Sequence, residues 1–232
     1  MVSPSGINEL RRDPSVSFRL GGIAALGKNG IFMKLQKLLA ARGIHYLATR
    51  FGWQKLRGLA FDEKYRRGDW NFSTEGTGEL AAVIRHYLRE GDLLIMGCGG
   101  ASILKDLAAS NLKSALGIDL SQEAIRLAGR FASEKISFQL ADMVTFQCPR
   151  PYDVILFSES LNYVPIAGQE SFLRRLAESL KPDGVFVVTI AQAKRYADIF
   201  EEIRQKFHVL EDRPFSGSNR QLMVFNLRGR HD

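Results

Sequence analysis

Cys98 and Cys148 are the only cysteines in 232 residues. Two thiols cannot build a disulfide framework or a cysteine metal cluster, so no metal is expected and a reducing cytoplasm is the expected compartment. Long apolar runs are missing too. None approaches the roughly 20 residues of a membrane-spanning helix. The opening MVSPSGINELRRD lacks the basic region and apolar core of a secretory signal. Acids are missing from one stretch only. Between positions 14 and 60 there is no Asp or Glu, while Arg19, Lys28, Lys34, Lys37, Arg42, Arg50, Lys55 and Arg57 stand there. The formal charge of +7 is thus concentrated in an N-terminal arm, and from Phe61 onward acids and bases nearly cancel.

What is present is the composition of a globular protein, 45% hydrophobic and 25% charged. It divides into three parts. Residues 1–60 read as a basic, partly helical extension, with Ile31, Leu35, Leu38 and Leu39 at helical spacing. Residues 61–77, FDEKYRRGDWNFSTEGT, are polar and aromatic and read as a structured loop, a lid or linker. From 78 to 232, short apolar runs alternate with helical patterns. Strands are expected at 93–96, 116–119, 136–140, 154–157 and 185–190, with helices between them at 79–89, 103–110, 121–131 and 169–180, and another at 194–205. Such alternation implies right-handed βαβ units and a parallel sheet. The last runs, 207–211 and 222–227, are joined by a Pro/Gly/Ser-rich loop and predict a closing antiparallel pair.

The chemistry concentrates at strand ends. An apolar run enters Gly97-Cys98-Gly99-Gly100-Ala101, and a helical pattern follows at once. Glycines there let the backbone turn sharply and approach a ligand, and the next helix offers unpaired N–H groups. Asp119 ends the following strand, 20 residues after Gly99, where a carboxylate can accept both hydroxyls of a ribose. Asp142 ends the third strand, placed for an adenine amino group, with Met143 against the ring. The fourth strand opens into Ser158-Glu159-Ser160, and Lys181-Pro182-Asp183-Gly184 is a turn ahead of the fifth.

In that order, the segments resemble the class I S-adenosylmethionine (SAM)-dependent methyltransferases over about residues 78–228. The resemblance implies an α/β fold of three layers, Rossmann-like, its seven-stranded sheet mostly parallel with an antiparallel last strand. It implies SAM as cofactor, held by Gly97, Cys98, Gly99, Asp119, the adjoining Leu120, Asp142, Met143 and Ser158. Tyr65 and Trp70, in the stretch where the family often carries a lid, are expected to cover it. Glu159 is the candidate general base. There are two departures: Ile95 replaces an acid two residues before the first glycine, and Ala101 replaces the third glycine.

The expected reaction is methyl transfer to an O or N atom of a small molecule. The tract around Tyr65 and Trp70, with the one after the fourth strand, is similar to small-molecule and sugar methyltransferases, including nodulation-factor N-methyltransferases, and favours a saccharide or secondary metabolite. Two alternatives stay open. One is an RNA methyltransferase using the basic arm on phosphates, although no RNA-binding signature accompanies it. The other is a catalytically weak SAM-binding protein. A nicotinamide enzyme shares the glycine loop but leaves Asp142 and the Lys-Pro-Asp-Gly turn unexplained. The arm itself is expected to pack on the core, with contact to an anionic membrane surface as the alternative.

Overall fold

A computed structural model of the chain describes residues 54–68, 77–107 and 112–227. Its centre is a sheet whose inner strands are too apolar to have a wet face. In β1 (Asp92–Met96), Leu94 and Met96 enter one core while Leu93 and Ile95 enter the other. That is a two-residue alternation with both faces covered, as parallel sheets require. β2 (Ser114–Asp119), β4 (Tyr152–Ser158) and β5 (Leu180–Ile190) are similarly buried, and β3 (Ile136–Leu140) forms a more exposed edge. β6 (His208–Pro214) and β7 (Gln221–Asn226) complete seven strands in the order β3-β2-β1-β4-β5-β7-β6. The first five are parallel; β7 runs antiparallel to both β5 and β6.

Helices cover both faces, giving the three layers. On one side α2 (Thr77–Leu88) inserts Leu80, Ala81, Ile84 and Leu88, beside α3 (Leu104–Leu107) and α4 (Gln122–Ala128). On the other, α5 (Ile166–Ala177) inserts Phe172, Leu173 and Leu176, and α6 (Ala197–Lys206) inserts Ile199, Phe200 and Ile203. Phe172 meets Phe157 of β4 edge-on at 5.9 Å. Truncating one of these large apolar side chains to Ala costs about 2–5 kcal/mol, so the cores fix the strand ends on which the site is built.

Two local results refine the sequence reading. The Lys-Pro-Asp-Gly turn lies inside β5: Tyr152 pairs with Leu180 and Val154 with Val185, so the turn bulges out between two registers. Its Lys181 reaches Asp92 at 2.8 Å and Asp153 at 2.6 Å, clamping the starts of β1 and β4. The stretch 61–77 was expected to be a loop, and its first half is not. α1 (Gln54–Arg67) runs straight through the expected 60/61 boundary. Glu63 pairs with Arg66 and Arg67 one turn away, a spacing that supports helix, and its aromatics Phe61 and Tyr65 share one face. Trp70 and positions 1–53 of the arm lie outside the described residues, and with them the expectations of membrane or RNA contact. Among the described residues no helix is long and apolar enough to cross a membrane.

Candidate active site

After β1 the chain steps to β2 and β3 on one side, then returns to β4 and β5 on the other. The carboxyl ends diverge at that switch, which is where open α/β sheets bind ligands. A cavity of about 280 Å³ opens there, walled by the segments following β1, β2, β3, β4 and β5 and by α1.

The glycine loop forms its floor. Gly97 and Gly99 have φ of +70° and +53°, a region costly for side chains with a Cβ. A Cβ on Gly97 would stand 2.7 Å from Cβ of Ser160, whose hydroxyl donates to the Met96 carbonyl at 2.5 Å. Cys98 donates its N–H to the Ile118 carbonyl at 2.8 Å, and burial pushes its thiol well above the usual range. Cys98 is therefore wall and not nucleophile. Ala101, standing where the resembled family has its third glycine, adopts φ of +52° and is buried. It holds a conformation that costs an L-residue about 1 kcal/mol.

Asp119 ties this loop to β2. Its Oδ2 accepts from the Gly99 N–H and its Oδ1 from the Ser121 N–H, both at 2.9 Å, and the residue is only 8% exposed. Burial raises its carboxyl above the ordinary range, against the pull of the Ser121 and Gly99 amides. Each oxygen keeps a further lone pair. Leu120 follows in the wall. Asp142 accepts from the Val144 N–H at 2.9 Å, in a turn that fixes its carboxylate, and Met143 lies beside it in the same wall, its methyl against Gly97.

α1 closes this half. A Cβ on Gly58 would stand 2.9 Å from the Leu120 carbonyl oxygen, so glycine lets the helix settle on the β2–α4 turn. Asp62 then accepts from the Ser121 hydroxyl at 2.5 Å and the Glu123 N–H at 3.1 Å, capping α4. The docked helix turns Arg57, Phe61 and Tyr65, one per turn, to the cavity. The Tyr65 hydroxyl lies against Gly99, 2.7 Å from where its Cβ would be. Phe61 packs edge-on against Tyr163 at 5.4 Å.

The other half is built on β4 and β5. Ser158, at the end of β4, faces the Thr189 hydroxyl at 3.5 Å. Glu159 and Gln192 follow the two strands with φ of +58° and +55°, strain of the kind that gathers at functional sites. Glu159 accepts from the Ala191 N–H at 2.6 Å, and its Oε1 lies 2.8 Å from Nε of Arg220. That second contact is close but misaligned for a hydrogen bond, and both atoms are buried without another partner among the described residues. Burial raises the Glu159 carboxyl; the Ala191 amide and Arg220 oppose it without cancelling it. Asn162, Tyr163, Arg195 and Tyr196 complete this compartment.

The structure thus brings together Gly97, Cys98, Gly99, Asp119, Leu120, Asp142, Met143, Ser158, Glu159 and Tyr65 around one cavity. His86 is exposed on α2 against Tyr87 and away from that wall. Gln192, Arg195, Tyr196 and Arg220 were not singled out in the sequence. Arg220 follows a Pro/Gly/Ser-rich loop whose composition marks a turn and says nothing of which residue points inward.

Residues 93–184 match a family model described as a methyltransferase domain. The chain is similar, 27% identical over 121 residues, to the ubiquinone biosynthesis O-methyltransferase of Rickettsia akari (strain Hartford), covering 50% of this chain and 47% of that protein. It spans about half the length of the curated relatives it matches. Among solved structures, it is similar to the N-methyltransferase NodS of Bradyrhizobium japonicum WM9 in complex with S-adenosyl-L-homocysteine (SAH). That likeness has a TM-score of 0.58 at 20% identity, over 80% of this chain and 99% of that one. The 1,6-didemethyltoxoflavin-N1-methyltransferase of Burkholderia thailandensis has a TM-score of 0.61 at 17% identity, covering 82% and 92%.

Proposed function

We propose that the chain is a class I SAM-dependent methyltransferase and that it transfers the methyl group of SAM to an oxygen or nitrogen of a small-molecule acceptor. One observation carries this reading. A single cavity joins the glycine loop, Asp119 and Asp142 on the β1–β3 side to an aromatic, acid-bearing compartment on the β4–β5 side. The relatives' names point the same way, since ubiquinone biosynthesis and toxoflavin methylation both concern small molecules.

When bound, SAM supplies a sulfonium methyl as the electrophile. The protein's share is to hold the cofactor, align the acceptor and exclude water. In this reading Asp119 takes the ribose diol with its remaining lone pairs, Asp142 the adenine amine, and Met143 the adenine face. The backbone of Gly97, Cys98 and Gly99 receives the methionine end, flanked by Leu120 and Ser158. Tyr65 covers the site from α1; Trp70, proposed as a second cover, lies outside the described residues. Glu159 takes the proton released when the acceptor's O–H or N–H is methylated. Its raised affinity for a proton suits that task, and Arg220 steadies the carboxylate while it is charged.

The test is full-length protein with methyl-labelled SAM and a panel of phenols, amines, saccharides and RNA. Label should pass to a low-molecular-weight acceptor. Glu159→Gln should lower kcat by about a hundredfold and leave SAH affinity unchanged. Label entering RNA alone, or full turnover by Glu159→Gln, contradicts the respective assignment.

A further inference from the structure

Arg57 belongs by sequence to the cationic arm, and arginine side chains are ordinarily exposed to solvent. Instead it is 5% exposed and lines the cavity. Its Nη2 makes one long contact, 3.5 Å to the Tyr163 carbonyl, and its Nε has no hydrogen-bond partner among the described residues. Among the described residues no carboxylate pairs with it. An arginine stays charged in a protein, and a buried charge without a counterion is costly.

The acids of the cavity each have a partner. Asp119 is held by two backbone amides, Asp142 by a third, and Glu159 faces Arg220. Among the described residues, Arg57 is left buried in the cavity wall with no opposite charge and with its Nε unpartnered. Close to the Tyr163 backbone that it touches, the amide oxygen of Asn162 is also buried without a partner. An amide can present either its oxygen or its NH₂. A planar guanidinium fork lining the same cavity as such a group fits a carboxylate or phosphate.

Position decides which ligand brings that oxyanion. Tyr65 lies at Gly99, in the cofactor half. Arg57 is eight residues earlier on the same helix face, about 12 Å along the axis. Between them Phe61 packs on Tyr163, beyond β4. We propose that Arg57, with Asn162, recognises an oxyanion, carboxylate or phosphate, carried by the methyl acceptor. The inference rests on the methyltransferase reading above and adds to it that the acceptor is anionic.

The experiment begins with full-length protein saturated with SAH, whose binding is measured first. Benzoate and phenyl phosphate are then titrated as probes, with benzamide as the uncharged control. At least one anion should bind and raise the melting temperature, the larger shift distinguishing carboxylate from phosphate, while benzamide does neither. Arg57→Met should weaken that anion about tenfold or more, Arg57→Lys less, and both should keep wild-type SAH affinity. Because it removes a buried charge, unliganded Arg57→Met should melt no lower than wild type. Binding of SAH with no binding of either anion overturns the proposal and leaves the cofactor assignment standing. So does loss of SAH affinity in Arg57→Met with unchanged affinity for methylthioadenosine, which lacks the amino-acid carboxylate; that result hands Arg57 to the cofactor. Failure of the wild type to bind SAH overturns the methyltransferase reading and this inference with it.

Discussion

Asp119 shows how one residue serves both fold and site. It bonds two backbone amides that hold the glycine loop against β2, and the same carboxylate faces the cavity. Asp119→Asn keeps the shape and halves the strong acceptors. SAH affinity should fall by about 2–3 kcal/mol, the cost of leaving charged-group bonds unmade, as calorimetry can read. The residue also has a pH signature. Burial raises its carboxyl in the folded state, so the native chain keeps this proton to higher pH than the unfolded chain does. The associated stability is fully present below the ordinary carboxylate range near 4 and is lost as pH rises through the raised value. Asn cannot titrate. In urea melts without cofactor, the stability of wild type relative to Asp119→Asn should therefore decline as pH rises across that window. A difference that stays flat contradicts the assignment.

At the scale of elements, α1 is the piece that turns a sheet edge into an enclosed site. Asp62 pins it to α4 without itself lining the cavity. Asp62→Ala should cost about 1 kcal/mol as a lost cap. It should also weaken SAH several-fold, because Tyr65 and Phe61 lose their anchorage. Lost stability with unaltered SAH affinity would mean that α1 merely decorates the fold. This helix is also where reading the sequence fell short. Strands β1, β2, β4 and β5 were legible because burial on both faces leaves uninterrupted apolar runs, and Asp119 and Glu159 were legible because each closes such a run. α1 has no apolar stripe: its inward face is Arg57, Phe61 and Tyr65, one of them charged. The boundary drawn at 60/61 followed the change in charge, which crosses a helix without ending it. Arg220, Gln192 and Tyr196 were hidden for a different reason. Arg220 stands where β7 inserts beside β5, and Gln192 and Tyr196 lie in the segment that follows β5, placements that no local pattern encodes.

For the whole molecule, the sheet divides the work between its two sides. β1 to β3 and the glycine loop present hydrogen-bonding groups suited to a nucleoside, whereas β4 and β5 present a strained, aromatic and charged compartment. A nicotinamide enzyme shares the first half. It gives no role to Asp142, to the Lys181 clamp between β1 and β4, or to a β7 inserted antiparallel beside β5. The sharpest discrimination is calorimetric titration of the full-length protein with SAH and, separately, with NAD. SAH should bind saturably at one site, with affinity lost in Asp119→Asn, and NAD should give no heat of binding. Saturable NAD binding without any response to SAH would contradict the assignment at its root.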